Sequence, residues 1–299
     1  MKKSLNKNLL SEMANAIRTL SIDAIQKANS GHPGLPLGLA DVATILFKNY
    51  LKFDVNNPKW PNRDRFILSA GHGSMLLYAL SYLTGYKDTN LKQLKDFRKL
   101  GSKTAGHPEY GLLNCIETTT GPLGQGLANA VGMAISEKIL NKKYGSSIVD
   151  HKTWVVVGDG CLMEGISQEA ISIAGHMNLN KLIVLFDDNG ISIDGKTSLT
   201  TSDNQLQRFK ACNWNAISIN GHNYDQINSA LKAVQKSKNP TLIACKTIIG
   251  YGSPNKSGKS ECHGSPLGKE EVINTKDFLK CENKSFFVPD KTLKQWRKI

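Results

Sequence analysis

The middle of the chain constrains the fold most. Residues 153–157 form a short apolar-rich run that ends in Gly158-Asp159-Gly160. A helical stretch follows, with Ile166, Ala170, Ile173, Ala174 and Met177 on one face. A second apolar run at 182–186 then ends in Asp187-Asp188-Asn189. Two strand-sized runs joined by one helix make a βαβ unit, which requires parallel strands. A parallel sheet must be buried on both sides. The expected fold is therefore α/β: a doubly wound, mostly parallel sheet with helices on both faces.

The flanking sequence extends this pattern. Residues 65–70 read as a strand before Gly71-His72-Gly73, and 215–219 and 241–247 read as two more, with a helix at 224–235 between them. Helical spacing predicts helices at 9–28, 39–49, 74–83, 91–100 and 127–143, and a weaker one at 269–279. Residues 30–38 and 54–64 are rich in Gly, Pro or polar residues and read as loops, and 101–120 has no clear period. Residues 1–280 are expected to be one domain and 281–299 a tail or linker remnant. Loops this long in a compact domain usually carry function.

Composition excludes several classes. The chain is 40% hydrophobic and 21% charged, so wholesale disorder is not expected. No run approaches the roughly 20 apolar residues of a membrane-spanning helix. The start, Met1-Lys2-Lys3-Ser4-Leu5-Asn6, is basic but lacks the apolar core of a secretory signal. Six scattered cysteines with no C-x-x-C pair argue against a disulfide scaffold or a zinc ribbon and fit a reduced, cytoplasmic compartment. The net charge of +13 would suit nucleic acid, an acidic partner or an anionic substrate. Its lysines are spread along the whole chain, however, which reads as solvated surface, as does the basic end at Lys291, Lys294, Arg297 and Lys298. Neither nucleic acid nor a membrane is expected as a partner.

In an open parallel sheet, ligands bind beyond the carboxyl ends of the strands. Asp159 and Asn189 each follow a strand of the βαβ unit. An acid and an amide oxygen, alone or with a backbone carbonyl, give a hard oxygen shell suited to Mg²⁺ or Ca²⁺ carrying phosphate. The glycines beside Asp159 allow close backbone approach, and a helix N-terminus favours an anion. Taken alone, Asp159 could simply cap a helix and Asn189 make a turn. Four of the seven histidines, His32, His72, His107 and His263, sit beside Gly or Pro in loops. Imidazoles there can bind phosphate or sugar hydroxyls and shuttle protons. No H-x-x-x-H or H-E-x-x-H spacing supports zinc. Gly121-Pro122-Leu123-Gly124-Gln125-Gly126 either opens a helix or holds a flat ring against Leu123. Glu164 and Glu169 either stabilise a helix dipole or serve proton relay or subunit contact.

Together these motifs resemble the transketolases. Ser30-Gly31-His32-Pro33-Gly34, Gly71-His72-Gly73, Gly106-His107-Pro108-Glu109, Thr120 to Gly126, Gly158 to Gly165 and Asp187-Asp188-Asn189 occur in the same order, over about residues 15–279. The resemblance implies a thiamine diphosphate-binding domain of the diphosphate (PP) type. It implies that Asp159, Asn189 and the backbone carbonyl of Ile191 hold Mg²⁺, with Ca²⁺ or Mn²⁺ as substitutes. Gly160, His72, Asn189 and His263 would meet the diphosphate, and Gly121, Pro122 and Leu123 the cofactor rings. His32 and His263 would bind sugar hydroxyls and move protons, and His107 would meet the donor hydroxyl or the cofactor's amino group. Glu164 and Glu169 would lie at a subunit interface, in a proton network linking paired cofactors.

Transketolases of the usual length run to more than twice this chain. The remainder holds a pyrimidine-binding domain, with the activating glutamate and most groups that bind substrate phosphate. The resemblance thus implies a section that acts with a partner chain, within a homo- or hetero-oligomer, on phosphorylated sugars. Either a split subunit or a piece of a longer chain fits. The rival readings are a 1-deoxyxylulose-phosphate synthase-like enzyme and an inactive remnant.

Overall fold

The computed structural model describes residues 5–299, so most of the basic start lies outside the described residues. Five strands, β1 (Arg65–Leu68), β2 (Thr153–Val157), β3 (Leu182–Asp188), β4 (Asn215–Asn220) and β5 (Thr241–Lys246), form one sheet in the order β1-β2-β3-β5-β4. Every neighbouring pair is parallel. The three inner strands β2, β3 and β5 are buried along nearly their whole length, as their runs of Val, Ile and Leu require. Edge strand β4 is mostly solvated, which suits its polar sequence Asn-Ala-Ile-Ser-Ile-Asn.

Helices cover the sheet. The described residues contain α1 (Lys7–Ala28), α2 (Gly34–Asn49), α3 (Ser74–Thr84), α4 (Leu91–Lys95), α5 (Gln125–Tyr144), α6 (Asp159–Met163), α7 (Gly165–His176), α8 (Gln205–Ala211), α9 (Tyr224–Ala233), α10 (Lys269–Phe278) and α11 (Asp290–Trp296). Helices α5 and α7 pack together, with α5 against β1 and β2; α2 packs on α1 and α9. Helix α1 is the hub of its layer, with residues 13–25 all buried.

Three differences from the sequence reading have physical causes. Helix α2 begins five residues early, inside the Gly/Pro segment, because prolines at its start and in its first turn remove only donors that a helix start leaves unpaired. The segment after Gly158 is two helices, broken at Glu164, whose backbone is extended. Ala170, Ile171 and Ala174 face the core there, whereas Ile166 and Ile173 are exposed. Finally, residues 281–299, set apart above as a tail, pack onto the domain. Helix α11 lies against α1 and α3, and Trp296 is fully buried with its indole N–H donated to the Met13 carbonyl at 3.2 Å. The basic side chains Lys291, Lys294, Arg297 and Lys298 face outward as expected.

Candidate active site

A cavity of about 220 Å³ opens beyond the carboxyl ends of β1, β2, β3 and β5. Its wall includes His72 after β1, Gly158, Asp159 and Gly160 after β2, Asp187 and Asn189 at β3, and Ile249 after β5. Loops add His32, Gly121, Leu123, Ile191 and His263. Residues far apart in sequence converge because parallel strands place all their carboxyl ends on one side.

The acid–amide pair has a defined geometry. Asn189 donates its amide N–H to Asp187 Oδ2 at 3.1 Å, and its Oδ1 accepts the Ile191 N–H at 2.9 Å. Asp187 is buried and also accepts from the Thr247 hydroxyl. These contacts fix which end of the Asn189 amide is oxygen and which is nitrogen. Asp159 Oδ2, in contrast, is buried with no hydrogen-bond partner. Burial, with the nearby Asp188 and Asp187 charges, raises the Asp159 carboxyl to about 7. A buried, unpartnered carboxylate oxygen is costly unless a cation meets it. The Asp159 carboxylate, the remaining lone pair of Asn189 Oδ1 and the Ile191 backbone make an oxygen donor set of that kind. Among the described residues no three His, Cys, Asp or Glu side chains cluster as a metal site, so any ion here must rely on the amide and backbone oxygens.

Three imidazoles, His32, His72 and His263, line the cavity, and a fourth, His107, stands beside His32 outside its wall. Ring centroids are 5.1 Å apart for His32 and His72, 5.0 Å for His72 and His263, 5.7 Å for His32 and His263, and 6.3 Å for His32 and His107. Burial, then the mutual repulsion of the four rings, lowers His72 to about 3. Burial, then the Arg98 charge, lowers His32 to about 4, and the same two causes lower His107. Burial lowers His263, against a small upward pull from Asp194. At neutral pH the cluster is a set of uncharged donors and acceptors, suited to hydroxyl and phosphate oxygens rather than to a further cation.

Protein-family comparison decides the lineage of this site. Residues 10–299 match the family described as transketolase, thiamine diphosphate binding domain. The chain belongs to that family. It is 54% identical to a transketolase of Rhodobacter capsulatus over 288 residues, covering 96% of this chain and 43% of the relative. It is 55% identical to a transketolase of Pasteurella multocida over 290 residues, covering 95% of this chain and again 43% of the relative. The Campylobacter jejuni transketolase structure superposes with a TM-score of 0.96 at 46% identity, over 98% of this chain and 46% of that one. A Pichia stipitis transketolase solved in complex with sedoheptulose-7-phosphate gives 0.94 at 41% identity, over 97% of this chain and 44% of that one. The chain thus spans less than half the length of these relatives.

Within this transketolase-family domain, Asp159, Asn189, Ile191, His32, His72, His263, Gly121, Leu123 and Gly160 all border one cavity. Gly121, at φ 153°, brings the loop backbone to the His107 ring, where an added Cβ would sit 3.4 Å from the ring. Pro122 is exposed, and Glu164 and Glu169 lie outside the cavity on the solvent side of the α6–α7 break. A larger cavity of about 830 Å³ lies elsewhere, around Arg18, Asp41 and His222. Its buried charges already pair with one another, Arg18 and His222 both with Asp41 Oδ2, so they offer no free ligand group. Two residues of the active-site region carry no sequence signal: Thr247, whose hydroxyl meets Asp187, and Arg98, which lies against His32; Asp187 stood in the strand-end motif, but its part in orienting Asn189 did not show there.

Proposed function

We propose that this chain is the diphosphate-binding section of a transketolase. The enzyme would transfer a two-carbon ketol unit from a ketose phosphate to an aldose phosphate. The observation that carries the reading is one cavity in which an orphaned Asp159 oxygen, an oriented Asn189 amide and the imidazoles of His32, His72 and His263 converge. Thiamine diphosphate, when bound, supplies the carbanion chemistry of C–C cleavage and formation. In this reading Asp159, Asn189 Oδ1 and the Ile191 carbonyl hold Mg²⁺. Gly160, His72, Asn189 and His263 take the diphosphate, and Gly121, Pro122 and Leu123 border the rings. His32 and His263 meet the sugar hydroxyls, His107 meets the donor hydroxyl or the cofactor's amino group, and protons move within that set. Glu164 and Glu169 belong to a subunit contact.

A volume of about 220 Å³ is below the roughly 300–1,000 Å³ of complete small-molecule sites. That supports a site finished by a second section carrying the pyrimidine-binding domain, as a separate chain or as a continuation. We further propose a cytoplasmic location and membership of the pentose phosphate pathway. The described helices include none long and apolar enough to cross a membrane.

The test is reconstitution. The chain is combined with the C-terminal section of a transketolase, Mg²⁺ and thiamine diphosphate, then assayed with ketose and aldose phosphates. Turnover is expected only in the combination, with the chain alone at least 100-fold slower. Full turnover by the chain alone would remove the missing-section argument. Consumption of pyruvate as donor would replace this reading with a 1-deoxyxylulose-phosphate synthase-like one, and no turnover in any combination would point to an inactive remnant.

A further inference from the structure

We infer that Arg98 is a positioning residue that locks His32 in one tautomer, with the proton on Nε2, so that His32 acts in the cavity as a fixed hydrogen-bond donor. Arg98 Nη2 lies 3.3 Å from His32 Nδ1, and Nη1 donates to the Ser30 hydroxyl at 2.8 Å. A guanidinium has only donors. The His32 Nδ1 it faces must therefore be the acceptor, which leaves the single ring proton on Nε2. That opposite edge faces the far wall, where a Cβ built on Gly264 would sit 3.4 Å from Nε2.

The placement of Arg98 is specific. Its backbone is left-handed at φ 62°, uncommon for a residue with a side chain, and its N–H donates to the Thr104 carbonyl at 3.0 Å. Its guanidinium lies along Gly106, where an added Cβ would come within 3.3 Å of Cζ and Nε. Its side-chain partners are a hydroxyl and an imidazole, neither of them an anion, and Nε is buried without a partner. A guanidinium held this way gains less than one paired with a carboxylate. Its effect falls instead on His32.

The consequence refines the roles proposed above, and it rests on the ketol-transfer reading only for what His32 meets in the cavity. A second proton on His32 would have to enter at Nδ1, against Arg98. His32 thus gives a hydrogen bond to a substrate oxygen without taking up a proton, and general-base work falls to His263 or His107. The charged and titratable groups facing His32 are Arg98, His72, His107 and His263, and the positive charge of Arg98 further opposes its protonation.

The test is ¹⁵N NMR of histidine-labelled chain, which reports tautomer and titration with no cofactor or substrate present. Wild-type His32 is expected as the Nε2–H form from pH 8 down to 5.5. In Arg98→Met, His32 is expected to populate both tautomers, with its titration midpoint raised by at least one pH unit. In Arg98→Lys the midpoint stays low, because the charge remains, while the tautomer bias weakens. Signals of His222, held by Asp41 in the separate larger cavity, report whether each variant is folded. A wild-type Nδ1–H form, or an unchanged His32 in a folded Arg98→Met, would overturn the inference. If Arg98→Met does not fold, Arg98→Lys carries the test, a full tautomer bias in it overturning the inference, and neither result depends on reconstituted turnover.

Discussion

At the residue scale, the site depends on a few buried polar atoms whose partners are dictated by geometry. Asp187 touches no ligand in the proposed reading, yet it holds the Asn189 amide so that Oδ1 stays available. Asp187→Asn would let that amide turn over, and changes to groups behind a metal ligand typically cost 10- to 100-fold in affinity. Calorimetry should show Mg²⁺-dependent thiamine diphosphate binding weakened by that factor, and nearly abolished in Asp159→Ala. Unchanged binding in both variants would remove the metal from this site. The histidines set a pH dependence whose sign is fixed. Burial and its neighbouring rings lower His72 from 6.5 to about 3. Below pH 6.5 the unfolded chain therefore takes up a proton that the folded chain refuses. Stability from this group is intact above 6.5 and falls as pH drops toward 3, with a slope of about 1.4 kcal/mol per pH unit. His151, whose Nδ1 is buried without a partner, is lowered to about 3 by burial and then by Arg65, and acts with the same sign. Urea unfolding at pH 7.5, 6 and 5 should show a steady loss that is shallower in His72→Asn. A flat profile would contradict the geometry of the cluster.

At the level of the elements, two close approaches hold the helical layers in place. An added Cβ on Gly175 in α7 would lie 1.6 Å from the Cys212 carbonyl oxygen, so Gly175→Ala must push α7 from the loop after α8. Such overpacking costs typically about 1–3 kcal/mol or more. Trp296→Ala should cost about 3–5 kcal/mol in urea unfolding, because it empties a fully buried site between α11 and α1. A loss under 1 kcal/mol would mean that 281–299 is a dispensable appendage after all. The inner strands were legible in the sequence, since buried parallel strands are unbroken apolar runs, and the polar edge strand β4 only by its place in the pattern; all five lie where expected, within about two residues at their ends. The convergence of Asp159, Asn189 and the glycine-flanked histidines was legible as well, because glycine beside a polar residue at a strand end is itself a signal. Helix α8 was not, because Gln205–Ala211 has only Leu206 and Phe209 as large apolar anchors in a polar stretch. Helix α4 stops at Lys95 rather than residue 100, and the backbone then turns left-handed at Arg98 to face the histidines. Nothing in a Lys-rich polar run distinguishes that arginine from its solvated neighbours. Its role arises from chain geometry rather than local composition.

For the whole molecule, the exposed apolar side chains are not scattered evenly. Met163, Ile166 and Ile173, about 40–48% exposed, accompany Glu164 and Glu169 across the α6–α7 break. Single exposed hydrophobics are ordinary, but a group of this kind marks a contact surface. With the proposed role of the two glutamates, this face is expected to meet a second copy of the chain or of the assembled enzyme. Sedimentation of Ile166→Lys/Ile173→Lys should show self-association weakened at least tenfold, with circular dichroism showing each chain still folded. An unchanged oligomer would place the contact elsewhere. The hub position of α1 has its own consequence for biosynthesis. The Asp23 carboxylate is met by Lys276 Nζ, 253 residues later, and by the Phe286 N–H, 263 residues later; the Met13 carbonyl is met by Trp296, 283 residues later. A ribosome therefore releases the hub long before the groups that seal it. Until nearly the whole domain has emerged, the nascent α1 carries an unmet acid within an apolar face, a form that a holdase can shield and a protease can cut.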